Sequence, residues 1–188
     1  MHKKGGWALG LSIALVVILA VGAFLFFALY HFSYDSIYQQ RYSSGEIVNP
    51  INGLTREQAI SQFNESFVYY LLYNIKAYNL HPAPLSSAPP RMEIIVDSDT
   101  YNAEVSKGEI YVSAGEIVTK DIIIKTTKEE GVKMLENSSY ISESFSSGLS
   151  SIQTVESKST LFGKGYLSIY NQLTGKSITG NIIKIYRG

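Results

Sequence analysis

The chain has 188 residues, of which 45% are hydrophobic, with 16 basic and 16 acidic side chains and no cysteine. Without cysteine there can be no disulfide bond, thiol catalysis or thiolate metal site. Because the charges balance and no basic patch stands out, we expect no nucleic-acid partner. The length predicts one domain with its own core beyond the apolar N-terminus.

Residues 7–30 form an uncharged, mainly apolar run directly after Lys3 and Lys4. At about 1.5 Å per residue, a helix of this length crosses a hydrocarbon core of about 30 Å with some tilt. We predict a retained transmembrane helix here, although Val21-Gly22-Ala23 also fits a signal-peptide cleavage site. The positive-inside rule then predicts a single-pass protein of the cell membrane, with residues 1–6 cytoplasmic and the C-terminal domain outside.

The first residues also resemble the leader of archaeal type IV prepilin-like proteins. The resemblance lies in Lys3-Lys4-Gly5 followed by a long apolar helix. In that family a peptidase cuts after a glycine that follows basic residues, which implies processing after Gly5. The glutamate that bacterial pilins carry five residues into the mature chain is replaced here by Gly10.

Four tyrosines follow the apolar run at steps of four residues: Tyr30, Tyr34, Tyr38 and Tyr42. Steps of four keep these rings on one side of a helix, so we predict a helical stalk to about Tyr42. Stalk and linker together occupy residues 31–54. The tyrosine stripe suggests self-association through the helix from Trp7 to Tyr42, with the lipid bilayer as the other partner.

The predicted outer domain, residues 55–188, opens on a capping box formed by Thr55 and Gln58. Apolar residues from Ile60 to Tyr78 then recur at steps of three and four, which predicts one amphipathic helix ending near Asn79. Four prolines between His81 and Pro90 predict a linker.

Alternating residues predict the strands of this domain. The first begins at Met92, and the second, from Tyr101, is followed by a hairpin turn at Lys107-Gly108. A third run, from Ile117 to Thr126, contains three consecutive isoleucines and is therefore expected in the interior of the sheet. Together these runs predict an antiparallel meander.

The rest of the chain contains both predicted helices and predicted strands. A second capping box at Thr127 opens a short helix. A strand over residues 152–156 and a helix from Ser159 to Leu173 follow, and residues 181–186 predict a last strand. We therefore predict an α+β domain with packed helices and a mostly antiparallel sheet of about five strands.

The element order from Met92 to Leu173 resembles the sterol carrier protein 2 fold. In that family a strand leads into a helix, then a glycine-led strand, then a C-terminal helix over an apolar tunnel. Here residues 121–130 fit the strand-to-helix step, Gly148-Leu149 the glycine-led strand, and residues 164–167 the start of the last helix. The chain departs from the family in its membrane segment, its preceding helix and linker, and its extra C-terminal strand.

No motif in the sequence predicts catalysis, a metal site or a cofactor. The three histidines, His2, His31 and His81, are too scattered to form a metal set, and we expect His81 in a loop. Asp97-Ser98-Asp99 lacks the other ligands of a calcium loop and predicts a turn at a strand end. We therefore expect no enzyme.

These inferences favour a membrane-anchored, non-enzymatic binding domain for a lipid-like apolar ligand. A pilin-like or envelope structural subunit is the alternative. The family resemblance and the apolar helix faces together give the candidate lining residues: Met134, Phe145, Phe162, Tyr166, Ile169 and Leu173.

Overall fold

The computed structural model describes residues 16–26 and 47–174, and the chain divides into two units, Met1–Ser44 and Gly45–Gly188. In the first unit residues 16–26 form helix α1, whose side chains are exposed. None of the helices in the described ranges is long and apolar enough to cross a membrane. The transmembrane segment therefore stays a prediction, because its other residues lie outside those ranges. The stalk to Tyr42 and the last strand at residues 181–186 also lie outside those ranges and stay predictions.

The single long helix predicted after Thr55 is wrong. The chain instead forms three short helices: α2 (Arg56–Ser61), α3 (Glu65–Asn74) and a 3-10 helix (Ala77–Asn79). The break follows from Asn64, whose side chain accepts a hydrogen bond from the Ser66 amide and so caps a new helix. Lys76, in the left-handed region, separates α3 from the 3-10 helix. The capping box at Thr55 is confirmed.

The second unit contains one mixed five-stranded sheet. The strands are β1 (Arg91–Val96), β2 (Asp99–Ser106), β3 (Glu109–Ala114), β4 (Ile122–Thr126) and β5 (Ser151–Thr154). Their order across the sheet is β3-β2-β1-β4-β5, and only β1 and β4 are parallel neighbours. The α+β class is thus confirmed. The predicted meander is correct from β1 to β3 and wrong for β4, which lies beside β1.

The hairpin between β2 and β3 turns at Lys107-Gly108, as predicted. Both residues have positive φ, 52° and 79°, which is the geometry of a two-residue type I′ turn. On β2 the alternating residues Tyr101, Ala103 and Val105 are all buried. β4 begins only at Ile122, later than predicted, because the preceding residues form a loop whose Asp121 bonds to Arg91.

Four further helices follow in the described part of the unit: α4 (Lys128–Glu136), α5 (Tyr140–Ser146), α6 (Lys158–Gly163) and α7 (Tyr166–Thr174). The predicted continuous helix from Ser159 to Leu173 is wrong, since Gly165 adopts a φ of 86° and divides it into α6 and α7. Gly163 allows a close approach of the proline-rich segment, because a Cβ there would lie 3.1 Å from the Cβ of Ala83. The helices α3, α4, α5 and α7 bury the core against β1 and β4.

Candidate functional site

An apolar cavity lies between the sheet and helices α3, α4, α5 and α7. Its lining residues are Val68, Leu71, Leu72, Ile75, Ile94, Ile124, Thr126, Met134, Ile141, Phe145 and Leu173. The surface that these residues present to the cavity is entirely carbon. Such a wall offers no hydrogen bond to water, so the cavity favours a hydrocarbon over a solvated group.

The cavity is small in this conformation. The space open to the centre of a water-sized sphere is about 30 Å³, room for about two water molecules. Sites for drug-sized ligands have volumes of about 300–1,000 Å³. A lipid-like ligand can therefore enter only if the surrounding helices move apart.

Three of the six predicted lining residues, Met134, Phe145 and Leu173, lie in this cavity wall. Tyr166 and Ile169 are buried outside it, and the Phe162 side chain is 53% exposed. The largest share of the wall comes instead from α3, which the prediction did not assign to the site. The broad apolar face of that helix was the sequence feature that could have indicated its place in the wall.

A chain of hydroxyl groups explains why the wall is free of polar atoms. The hydroxyl of Thr126 lies 2.7 Å from that of Ser150, which lies 2.9 Å from that of Ser144. Ser144 and Ser150 are buried, and Ser144 donates to the carboxylate of Glu130 at 2.8 Å. Thr126 therefore directs its hydroxyl into this chain and only its carbon atoms into the cavity.

The Glu130 carboxylate fixes the direction of that chain. Burial raises its pKa, but hydrogen bonds from Lys133, Ser144 and Tyr140 outweigh this effect and leave the pKa lowered. An ionised carboxylate only accepts hydrogen bonds, so Ser144 donates its single hydroxyl proton to Glu130. Ser150 must then donate to Ser144, and Thr126 to Ser150. The hydroxyls are thus fully used in holding the start of α4 to α5 and to β4.

A second buried polar cluster lies at the other end of β4. Asp121 accepts hydrogen bonds from the Lys164 ammonium at 2.8 and 3.0 Å, from the Tyr166 hydroxyl at 2.9 Å and from the Arg91 amide at 2.7 Å. Lys164 also donates to the Pro89 carbonyl. Burial, followed by the charge and hydrogen bond of Asp121, raises the pKa of Tyr166 well above its usual value. These contacts join three chain segments and leave no acid or base facing a cleft.

The other residues that the sequence analysis considered, His81 and Asp97, make contacts that serve the fold. His81 lies in a loop, as predicted, and is buried there, with its Nδ1 3.0 Å from the carbonyl of Pro82. Asp97 lies in the turn between β1 and β2, as predicted, and accepts a hydrogen bond from the Lys128 amide. Within residues 16–26 and 47–174 no group of three ligating side chains could hold a metal ion.

No family model and no curated protein matches the chain. Among solved structures it is similar to the crystal structure of sterol carrier protein 2 like 2 from Aedes aegypti. The two share 14% sequence identity and a TM-score of 0.30, over 47% of this chain and 86% of that one. This is the family whose element order the sequence resembles. The likeness is weak and carries no functional argument, so function has to be argued from the side chains.

Proposed function

We propose that this chain is a membrane-tethered, non-enzymatic binding domain that takes the hydrocarbon part of a lipid-like ligand into the cavity beneath α3 and α7. The observation that supports this function is the all-carbon cavity wall. A wall without donors or acceptors discriminates by hydrophobic burial alone. The polar head of the ligand would therefore remain outside, in water or at a membrane surface.

Ligand entry requires one wall to move. The two polar clusters restrain most of the cavity walls. Ser144 bonds α5 to Glu130 of α4, and Tyr166, the first residue of α7, bonds to Asp121. The opposite end of α7 carries Leu173, which lines the cavity. Displacement of this last turn widens the cavity without breaking either cluster. Met134, an unbranched and adaptable side chain, can then follow the shape of the ligand.

The membrane tether and the extracytoplasmic location are part of the proposal. Their support is the uncharged run at residues 7–30 with Lys3 and Lys4 before it. Within that run residues 16–26 are helical, and their apolar side chains are exposed. A tethered domain would meet lipid-like ligands at the membrane to which it is attached.

The test is native mass spectrometry of the full chain, extracted in detergent and examined for retained lipid. We expect the unmodified chain to retain lipid and Leu173→Trp, which fills the cavity, to retain less. Phe145→Ala, which enlarges the cavity, should still bind, and Leu149→Ala serves as the matched control because that side chain is exposed and outside the wall. Circular dichroism establishes that each variant is folded. The absence of retained lipid, together with no melting shift on adding fatty acids or sterols, would refute the proposal.

The small cavity volume favours a second candidate, a pilin-like or envelope structural subunit. In that case the cavity is an ordinary packing void, and assembly would depend on the N-terminal helix. Sequencing the mature N-terminus separates the two functions, since cleavage after Gly5 is expected for the pilin-like subunit and an intact N-terminus for the tethered binding domain.

A further inference from the structure

Four exposed apolar side chains belong to the chain segments that meet at one end of the sheet, and we call them the apolar rim: Leu85, Val118, Val155 and Phe162. Leu85 and Val118 are fully exposed, and the other two are about half exposed. The loops before β1 and β4 share this end because the two strands are parallel. The segment after β5 joins them because β5 is antiparallel to β4.

The loops of the apolar rim are fixed to one another at their bases. The Arg91 guanidinium donates to the Thr119 hydroxyl at 2.7 Å, and the Val155 amide donates to the Asp121 carbonyl at 2.9 Å. Lys164, just after α6, bonds to Asp121 and to the Pro89 carbonyl. The buried cluster around Asp121 therefore holds together the segments that carry the exposed side chains.

Leu85 occupies a position that does not suit leucine. The Ser86 amide donates to the Ala83 carbonyl at 2.9 Å and closes a four-residue turn, in which Leu85 has a φ of 65°. Because Pro84 cannot adopt a positive φ, the turn is of type II, whose third position is normally glycine or asparagine. A bulky residue there is strained. A fully exposed leucine adds nothing to the core, so packing within the domain does not offset this strain.

We propose that the apolar rim inserts into the surface of a lipid bilayer. Single apolar side chains on separate loops and on α6 suit the disordered acyl region better than the flat, continuous face that a protein partner requires. Residues 82–90 include no charged side chain, and Ser86 and Ser87 beside Leu85 can bond to lipid headgroups. The same chain carries the apolar run at residues 7–30, whose predicted insertion would raise the local concentration of bilayer around the domain. The rim does not depend on the cavity, so either proposal can fail alone.

The experiment uses the absence of cysteine, which lets one substitution carry one fluorescent label. Leu85→Cys, Val118→Cys and Leu149→Cys are prepared in the full chain, labelled with an environment-sensitive dye and reconstituted in phosphatidylcholine vesicles. Leu149 is the matched control, since it is exposed and apolar but precedes β5 at the other end of the sheet. We expect nitroxide-bearing lipids to quench the labels at positions 85 and 118 and not the label at 149. Equal quenching at all three positions, quenching at 149 alone, or none at all would overturn the proposal.

Leu85→Asn supplies a second readout that a merely structural leucine would not produce. Asparagine tolerates a positive φ, so this variant should raise the melting temperature of the domain. It should also reduce quenching of the dye at position 118, because one of the inserted side chains is gone. Quenching at 118 that does not change would refute joint insertion of the two loops.

Discussion

Replacing Lys164 by methionine removes one partner of the buried pair with Asp121 while keeping a long apolar side chain in the same space. Asp121 then loses both hydrogen bonds from the ammonium group and keeps only those from the Arg91 amide and the Tyr166 hydroxyl. The carboxylate cannot recover them from solvent, because Asp121 is only 4% exposed. An uncompensated buried charge of this kind costs about 3–5 kcal/mol. Since the free energy of unfolding of small domains is about 5–15 kcal/mol, a loss of this size should be readily measured.

The free energy of unfolding is measured by urea titration of the full chain in detergent, followed by far-ultraviolet circular dichroism. Arg56→Met is the control, because it breaks the exposed pair of Arg56 with Glu136 and should cost much less. The double variant Lys164→Met and Asp121→Asn should recover much of the stability, since no unpaired charge remains. A Lys164→Met variant as stable as the control, or a double variant as unstable as the single one, would contradict this reasoning.

Two pH-dependent effects follow from the other buried groups. The folded pKa of Tyr166 is raised above its unfolded value of about 10, so its contribution is complete below that pH and is lost as the pH rises further. Tyr166→Phe should flatten this alkaline loss in urea titrations while costing about 1.5–3 kcal/mol at neutral pH through the lost hydrogen bond to the Asp121 carboxylate. The folded pKa of Glu130 is lowered, so its contribution is present above the unfolded value of about 4.3 and is lost as the pH falls through the folded value. Glu130→Gln should therefore unfold more easily at neutral pH and show a shallower acid transition, and an unchanged acid transition would refute the assignment.

Local signals in the sequence predicted local structure well. The turn at Lys107-Gly108 was predictable because a two-residue hairpin needs two positive φ angles and glycine readily supplies one of them. The capping box at Thr55 was predictable because both of its hydrogen bonds lie within four residues. The divided helix was not, since apolar residues continue at helical spacing on both sides of Asn64. Only the competing cap at Asn64 distinguishes two helices from one.

Strand order depends on contacts that periodicity does not encode. A parallel neighbour makes a strand apolar on both faces, and the isoleucines from Ile122 to Ile124 carry that signal, which supports an interior strand but does not name its partner. β4 pairs with β1 across about 30 residues of intervening sequence. The cluster around Asp121 likewise could not be predicted from the sequence, because Lys164 is 43 residues away from Asp121 and lay within a predicted continuous helix. The candidate site was half predicted for the same reason, since α3 enters the wall only through tertiary packing.

The distribution of polar groups along β4 connects the cavity with the apolar rim. Asp121 immediately precedes the strand and Thr126 ends it, and each belongs to a buried polar cluster. Between them Ile122 and Ile124 are buried, and Ile124 lines the cavity. Side-chain hydrogen bonds thus fix the two ends of the strand, while its backbone pairs with β1 and β5 and the side chains in its middle make only packing contacts. Packing alone can be rearranged by an apolar ligand, whereas the cluster at Asp121 keeps the loops of the rim in place. A domain built in this way can open its cavity without changing the surface that we propose contacts the membrane.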